Sequence, residues 1–264
     1  MTKEWQGKWA LVTGASAGIG VALAQELAAG GTHLVLTARR QDRLEELARR
    51  LSKNHSIRTE LIAADLAKAE APVEIFEFTK QKGLTIDLLI NNAGFGQYGE
   101  LTQVETQRLL DMVQVNCHAV VHLTRLFLPG MVERGRGDVL ILASTASFQA
   151  VPYITTYAAT KAFDLFFAEG LAEEMKPHGI RVCALCPGST ASEFHVVAQQ
   201  EKFTQKHQET AEKVARTGLA ALAAGKSYVI SGLGNYLGAN LQRLVPRRMV
   251  TRIAASMFRP DKKV

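Results

Sequence analysis

The sequence lacks most features of secreted, membrane-spanning and low-complexity proteins. It has three cysteines and seven prolines among 264 residues, and it contains no internal repeat. No uncharged apolar run reaches the roughly 18 residues of a membrane-spanning helix, and the first residues carry no signal-peptide core. These absences predict a cytoplasmic protein with free thiols. The apolar content of 47% suffices for a large core, in one α/β domain or in two small ones.

Two short motifs that could hold a metal or a redox pair are incomplete. His118 and His122 lie four residues apart, but Ala119 stands where the H-E-x-x-H metal motif needs glutamate. Cys183 and Cys186 lie on a segment typical of a strand, so their side chains point to opposite faces, whereas redox pairs usually begin a helix. We therefore predict neither a metal site nor a redox centre.

The net charge of +6 is compatible with nucleic acid or with a small ligand that carries phosphate. The basic residues are scattered except near the C-terminus, and no nucleic-acid-binding motif is present. We therefore predict no nucleic-acid partner and a phosphate-bearing ligand.

The first motif predicts a nucleotide site. Lys8–Val12 is a short apolar segment typical of a strand, Thr13–Gly20 is rich in glycine, and Val21–Ala29 has the pattern of a helix. Glycines let the backbone approach a pyrophosphate, and a helix N-terminus offers unpaired N–H groups to it. The order of strand, turn and helix favours a dinucleotide site over a plain tight turn.

The second predicted strand ends in Ala38 and is followed by Arg39 and Arg40. Enzymes that prefer NAD usually place an acidic residue at this point, whereas arginine matches the 2′-phosphate of NADP. The alternative is that both arginines only begin a solvated helix; we favour the phosphate role, more for Arg39 than for Arg40. Asp65, after the third strand, either accepts a hydrogen bond from adenine or caps the next helix.

The remaining predicted strands alternate with helical segments. They are expected at 57–63, 86–90, 139–143, 180–186 and 228–230. A long helix is predicted over Val104–Leu128, with Asn116 in its middle. A buried amide needs partners, so Asn116 is either a structural hydrogen-bonder or part of the active site.

Three residues after the fifth strand form a candidate proton-transfer site. Ser144 follows the apolar segment Val139–Ala143, at the strand end where open α/β sheets bind ligands. Tyr157 and Lys161 lie four residues apart on the next predicted helix and share one face. A nearby ammonium lowers the pKa of a phenol, so Tyr157 could exchange a proton while Ser144 holds a carbonyl or alcohol oxygen. The pattern Y-x-x-x-K is common by chance, and the upstream serine and the nucleotide motif support it.

Together these residues resemble the short-chain dehydrogenase/reductase family, in its NADP-preferring type with a C-terminal helical extension. The matching motifs are T-G-x-x-x-G-x-G at Thr13–Gly20, Asp65, N-N-A-G at Asn91–Gly94, Asn116, Ser144, Y-x-x-x-K at Tyr157–Lys161, and Pro187-Gly188. Their order and spacing also match, over about residues 8–194. The resemblance implies a Rossmann-type, doubly wound α/β fold with seven parallel strands in the order 3-2-1-4-5-6-7 and helices on both faces.

The resemblance also implies roles for the catalytic residues. Tyr157 would be the acid/base, and Ser144 would orient the carbonyl. Lys161 would lower the tyrosine pKa and hold the nicotinamide ribose. Asn116 would hold a water that links Lys161 to solvent.

The implied cofactor site extends over the whole strand edge. Ala17 replaces the basic residue often found in the glycine motif, so the 2′-phosphate would fall to Arg39 and Ser16. Thr190 and Ser192 align with residues that contact the nicotinamide carboxamide. The implied set is Gly14, Ser16, Gly18, Ile19, Gly20, Arg39, Arg40, Asp65, Leu66, Asn92, Ala93, Gly94, Tyr157, Lys161, Pro187, Gly188, Thr190 and Ser192.

The expected function is the reversible reduction of a ketone or aldehyde to an alcohol, with NADP(H) preferred over NAD(H). The expected substrate is a moderately hydrophobic small molecule, such as a 3-oxoacyl, steroid-like or small hydroxy compound. Its pocket is predicted from Phe95, Gln97, Tyr98, Thr145, Ala146, Tyr153 and Phe194. The alternatives are a catalytically idle cofactor-binding sensor or scaffold, and a reductase held on a membrane surface by its tail. The resemblance favours a homodimer or homotetramer.

Residues 1–232 are predicted to form the catalytic domain and residues 233–264 a basic amphipathic helical extension. From Asn235 to Phe258 the apolar residues follow helical spacing, with a break at Pro246 and with interleaved arginines. We favour packing of this extension over the substrate cleft or on a partner subunit. The alternative is contact with an anionic membrane surface.

Overall fold

A sheet of seven parallel strands lies at the centre of the protein. The structure is a computed structural model that describes residues 3–191, 193–194, 198 and 208–260. The strands are β1 (Trp9–Thr13), β2 (His33–Ala38), β3 (Thr59–Ala63), β4 (Ile86–Asn91), β5 (Gly137–Leu142), β6 (Ile180–Cys186) and β7 (Tyr228–Ile230). Their order is β3-β2-β1-β4-β5-β6-β7, and every neighbouring pair is parallel. The predicted Rossmann-type architecture is confirmed.

Helices cover both faces of this sheet. They are α1 (Gly18–Ala29), α2 (Gln41–His55), α3 (Ala71–Gln81), α4 (Thr106–Val113), α5 (Ala119–Glu133), α6 (Thr155–Met175), α7 (Ala211–Ala223), α8 (Leu233–Leu241) and α9 (Arg247–Phe258). One apolar core packs α1, α2 and α7 on the first face, and a second core packs α3, α5 and α6 on the other. Successive strand residues enter opposite cores, since Val12 lies in the first and Leu11 in the second. Burial on both faces explains the near-continuous apolar strands of the sequence.

The two cysteines of β6 lie on opposite faces of the sheet. Cys183 belongs to the first core and Cys186 to the second, and both are buried free thiols. The prediction that their side chains point to opposite faces is confirmed. The rings of His118 and His122 pack edge to face with centroids 5.5 Å apart. Across the described ranges, no cluster of three or more metal-ligating side chains occurs.

The helix predicted over Val104–Leu128 is wrong in its middle. α4 ends at Val113, residues Gln114–His118 form a π-helical turn, and α5 begins at Ala119. Isolated π turns frequently occur at functional sites, and this one contains Asn116. A π-helical turn contains one residue more than an α-helical turn, which hardly changes the apolar pattern of the sequence. The sequence therefore did not indicate this turn.

The C-terminal segment folds back onto the region before and within α6. The inner face of α9 buries Ala254 against Ile154 and Ala158. The Tyr98 hydroxyl donates a hydrogen bond of 2.9 Å to the Phe258 carbonyl. Within the residues that the structure describes, each helix is too short or too polar to cross a membrane.

Candidate active site

A cleft of about 620 Å³ opens at the carboxyl ends of the strands, the edge at which open α/β sheets bind ligands. The residues that follow six of the strands line it: Gly14, Arg39, Asp65, Asn92, Ser144 and Pro187. Every predicted cofactor residue within the described ranges lines this same cleft. Ser192 lies outside the described residues.

The glycine-rich segment after β1 leaves no room for a side chain at Gly14 or at Gly20. Gly14 has a φ of +67°, a conformation that favours glycine. A Cβ would lie 2.8 Å from the Asn92 side-chain nitrogen at Gly14 and 2.6 Å from it at Gly20. No described side chain caps the N-terminus of α1, so its first N–H groups are available to an anion. A pyrophosphate fits this cradle.

The two arginines after β2 differ in what they contact. The Arg40 guanidinium lies 3.2 Å from the Ser16 hydroxyl and 2.9 Å from a Glu193 carboxylate oxygen. Glu193 also pairs with Arg43 at 2.6 Å, a contact that the sequence did not indicate. Arg39 is exposed and lines the cleft. The prediction favoured Arg39 over Arg40, but Arg40 is the arginine that contacts Ser16.

The predicted helix-capping role of Asp65 is wrong, because the next helix, α3, begins at Ala71 with Glu70 before it and no side-chain cap; the adenine-binding role stays a prediction. The Asp65 carboxylate lines the cleft and also accepts a hydrogen bond of 3.1 Å from the Ala67 N–H. At the other side of the cleft, the Thr190 hydroxyl donates to the Gly188 carbonyl at 3.1 Å. These short bonds hold both loops at the strand edge.

Ser144 and Tyr157 both line the cleft, and their side chains are close enough for Ser144 to act on the Tyr157 phenol. Ser144 precedes a 3-10 turn, Thr145–Phe148, and its backbone N–H donates to the Ser147 hydroxyl at 3.2 Å. The Ser147 hydroxyl donates in turn to the Lys161 carbonyl at 2.7 Å. These bonds fix the end of β5 against α6, and the structure thereby brings Ser144, Tyr157 and Lys161 together.

The electrostatics of this group differ from the expectation. Burial raises the pKa of the Tyr157 phenol, although the Lys161 ammonium and the Ser144 side chain both oppose the rise. The pKa of Tyr157 is raised overall, because the effect of burial outweighs the lowering that was expected from Lys161. Burial lowers the pKa of Lys161, but Asp164 and Tyr157 more than offset this and raise it. The Lys161 ammonium donates to the Asp164 carboxylate at 2.9 Å and to the Leu142 carbonyl at 2.6 Å.

Asn116 is fully buried and does not line the cleft. Its side-chain oxygen accepts from the Phe95 N–H at 3.1 Å. Its side-chain nitrogen donates to the Phe95 carbonyl and to the Thr160 hydroxyl, each at 3.0 Å. These contacts favour the structural alternative, and the water-holding role implied by the resemblance stays a prediction.

Of the seven residues predicted for the substrate pocket, the structure places four on the cleft. The side chains that line the cleft are Phe95, Thr145, Ala146 and Phe194. Gln97, Tyr98 and Tyr153 do not line it. The Tyr98 hydroxyl is directed to the Phe258 carbonyl instead. Tyr153 has a left-handed φ of +66°, and its carbonyl accepts from the Gly99 N–H at 2.8 Å. Backbone direction in this loop, which residue type alone does not reveal, decides which side chains reach the cleft.

The lining includes residues that sequence reasoning missed. Those outside the motifs include Arg108, Asp111, Val115, Ile154, Met257 and Phe258. The Arg108 guanidinium lies over the Phe95 ring, 4.1 Å from its centroid, and places a cation beside the apolar lining. The helical spacing of the polar residues on α4 could have indicated that Arg108 lines the cleft. Met257 and Phe258 belong to the C-terminal extension, which was predicted to pack over the cleft or on a partner subunit, but the sequence did not indicate which of its residues reach the cleft.

A family comparison agrees with this site. Residues 8–202 match the family described as short chain dehydrogenase. The chain belongs to the short-chain dehydrogenase family. This dehydrogenase is therefore an oxidoreductase that acts on carbonyl and alcohol groups, as the sequence predicted.

The dehydrogenase is similar to characterised and solved proteins along nearly its whole length. The very-long-chain 3-oxoacyl-CoA reductase of Bos taurus is 34% identical over 243 residues, which cover 90% of this chain and 76% of that protein. A short-chain dehydrogenase from Sphingobium yanoikuyae, solved in complex with NADPH, has a TM-score of 0.82 at 29% identity and covers 97% of this chain and 98% of its own. The bulky-bulky ketone specific alcohol dehydrogenase from Comamonas testosteroni has a TM-score of 0.77 at 30% identity, with 90% and 93% covered.

Proposed function

We propose that this dehydrogenase is an NADP(H)-dependent carbonyl reductase with Tyr157 as its acid/base. The observation that carries the proposal is the joint placement of Ser144, Tyr157 and Lys161 in the cleft that the glycine-rich turn and Arg40 also line. NADP(H), when bound, supplies the hydride. The protein orients the carbonyl and provides the proton.

The cofactor would lie along the strand edge. The uncapped α1 N-terminus and the glycine-rich turn would hold the pyrophosphate. Arg40 and Ser16, with the exposed Arg39, would hold the 2′-phosphate and so favour NADP(H) over NAD(H). The 2′-phosphate would compete with Glu193 for Arg40. The NADPH complex of the Sphingobium yanoikuyae relative supports this choice.

The proton would move between Tyr157 and the substrate oxygen. The Ser144 hydroxyl would hold that oxygen, and the phenol would protonate it as the carbonyl becomes an alcohol. The raised pKa of Tyr157 keeps the phenol protonated at neutral pH, which suits the reductive direction. The Lys161 ammonium would stabilise the phenolate left behind.

The substrate would be a bulky, mainly apolar ketone or its alcohol. Phe95, Phe194 and Met257 give the lining its apolar character. Support comes from the names of two relatives, which act on very-long-chain 3-oxoacyl-CoA and on bulky-bulky ketones. A homodimer or homotetramer is also proposed, since Phe163 and Phe166 of α6 are 41% and 70% exposed.

Fluorescence titration with NADPH and NADH tests the cofactor assignment on wild type, Arg39→Ala and Arg40→Ala. We expect wild type to prefer NADPH, and Arg40→Ala to lose about tenfold in NADPH affinity with little change for NADH. Arg49→Ala, at an exposed arginine of α2 outside the cleft, is the control and should match wild type. Equal wild-type affinity for both cofactors would refute the NADP assignment.

Tyr157→Phe tests the chemistry. Turnover of an apolar ketone should fall at least about a hundredfold, while NADPH affinity stays within about twofold of wild type. Residual activity above about a tenth of wild type would contradict the assigned role. Wild-type NADPH binding without turnover of any carbonyl substrate would instead favour an idle sensor.

A further inference from the structure

The outer sides of α8 and α9 carry apolar side chains that no described part of the chain covers. On each helix these side chains recur every four positions and so form a row. They are Leu233, Leu237 and Leu241 on α8 and Met249, Ile253 and Met257 on α9, each between 49% and 75% exposed. Leu244, between the two helices, is 82% exposed. Monomeric proteins rarely expose so many large apolar side chains in one segment.

The charge of this segment has one sign. Residues 233–260 contain five arginines and neither aspartate nor glutamate. The arginines are Arg243, Arg247, Arg248, Arg252 and Arg259, and all are exposed. None of them pairs with an acidic residue in the described part of the chain. On α9, Arg248 and Arg252 form a cationic row directly beside the row of Met249 and Ile253. We call these apolar and arginine side chains the C-terminal surface.

The fold itself does not use the C-terminal surface. α9 is held from its inner side, by Ala254 in the apolar cluster with Ile154 and Ala158 and by the bond from Tyr98 to the Phe258 carbonyl. The outer rows therefore remain available to a partner. Met257 ends the apolar row of α9 and also lines the cleft, so the C-terminal surface reaches the mouth of the active site.

We propose that the C-terminal surface binds an anionic phospholipid bilayer. Its apolar rows would enter the headgroup region, and its arginines would lie against lipid phosphates. Because the row of α9 ends at Met257, a hydrophobic ketone would pass from the bilayer directly into the cleft. That last step rests on the proposed function, whereas the binding of the surface does not.

The arginines argue against a second copy of the chain as the occupant. A two-fold symmetric contact would place the same patch on both subunits, and it would bring five arginines from each copy together without an acidic residue of this segment between them. A lipid surface instead supplies the opposite charge. The exposed apolar face of α6 is a better candidate for subunit contact, because it lacks this charge excess.

Co-sedimentation of the full chain with vesicles tests the proposal. The vesicles are phosphatidylcholine alone and phosphatidylcholine mixed with phosphatidylglycerol. We expect wild type to sediment with the mixed vesicles, less at high salt, and to remain in solution with the neutral ones. Arg248→Glu/Arg252→Glu should weaken binding at least about tenfold, and so should Leu237→Ser/Ile253→Ser. Arg49→Glu/Lys53→Glu on α2, with the same change in net charge, is the control and should bind as wild type does.

NADPH titration and thermal melting of each variant separate a failure of this proposal from a failure of the fold or of the proposed function. The proposal is overturned if folded wild type binds neither vesicle, or if the α2 control weakens binding as much as the α9 variant. It is also overturned if light scattering shows that Leu237→Ser/Ile253→Ser splits a larger oligomer, because the surface would then be an interface between copies.

Discussion

Asp164 is a buried carboxylate that neither the motifs nor the resemblance indicated. Its side chain is 0% exposed and lies 2.9 Å from the Lys161 ammonium, which is 5% exposed. Burial raises the pKa of Asp164 to about 6, although Lys161 opposes the rise. An isolated charge at this depth would be costly, so the two groups remain charged together at neutral pH. Asp164 therefore fixes the position of the ammonium that acts on Tyr157.

Asp164→Asn should destabilise the protein by about 3 kcal/mol, because it leaves the Lys161 charge buried without its counter-charge. Urea unfolding followed by circular dichroism measures this. Glu173→Gln, at an exposed residue of the same helix α6, is the control and should change the free energy of unfolding by less than about 0.5 kcal/mol. A loss below about 1 kcal/mol for Asp164→Asn would mean that the pair contributes no more than a surface ion pair.

Tyr157 sets the expected pH dependence of the two reaction directions. In the proposed mechanism, reduction needs the protonated phenol of Tyr157, and burial raises the pKa of this phenol above its ordinary value of about 10. The reductive rate should therefore stay level across neutral pH and fall only in the alkaline range. Alcohol oxidation needs the phenolate and should increase with pH over the same range. Initial rates in both directions measure this, and a reductive rate that already falls between about pH 7 and pH 8 would contradict the raised pKa.

At the scale of elements, the π-helical turn Gln114–His118 joins three parts of the fold. Asn116 in this turn binds both backbone groups of Phe95, in the loop after β4, and the hydroxyl of Thr160 on α6. The loop that follows β4 lines the cleft, and α6 carries Tyr157 and Lys161. The turn therefore fixes the position of the cleft-lining loop after β4 relative to the helix that carries Tyr157 and Lys161.

Asn116→Ala should lower the free energy of unfolding by about 2 to 3 kcal/mol, because the Phe95 N–H and carbonyl lose their buried partner. Thr160→Val removes one Asn116 contact and the hydrogen bond from the Thr160 hydroxyl to the Tyr157 carbonyl, but it leaves both backbone groups of Phe95 paired and should cost less. Thermal unfolding of both variants measures the difference. If Thr160→Val is the more harmful exchange, the bonds to Phe95 are not what makes Asn116 structurally important.

The elements were predictable because buried parallel strands read as continuous apolar runs, as in Val139–Ala143 and β6. The directions of individual side chains were harder to predict from the sequence. Arg40, and not Arg39, contacts Ser16. Arg40 is the residue before α2 and has an extended backbone, with φ −91° and ψ 93°. Two adjacent arginines in a sequence do not reveal this backbone conformation. Asn116 in the π-helical turn contacts residues of other elements, and the apolar periodicity of one helix gives no information about such contacts.

At the scale of the whole molecule, the C-terminal segment extends the cleft. Met257 and Phe258 line it more than 90 residues after Tyr157, while Ala254 anchors their helix on the cluster before and within α6. The sequence favoured packing over the cleft or on a partner, and a membrane surface was the alternative. The inner contacts of α9 support packing over the cleft. Its outer rows leave room for contact with a membrane surface, so the same helix can pack over the cleft and bind a membrane. We propose that the segment is a fixed wall of the substrate site.

Ala254→Glu should therefore raise the KM for a bulky ketone, because Ala254 is 3% exposed and a carboxylate there would be buried without a partner. α9 would detach, and the wall formed by Met257 and Phe258 would be lost. We expect about a tenfold rise in KM and an unchanged dissociation constant for NADPH, since the glycine-rich turn and Arg40 belong to other elements. Steady-state kinetics and NADPH titration measure both. Ser256→Glu, on the exposed side of the same helix, is the matched control, and equal effects of the two exchanges would show that α9 does not shape the substrate site.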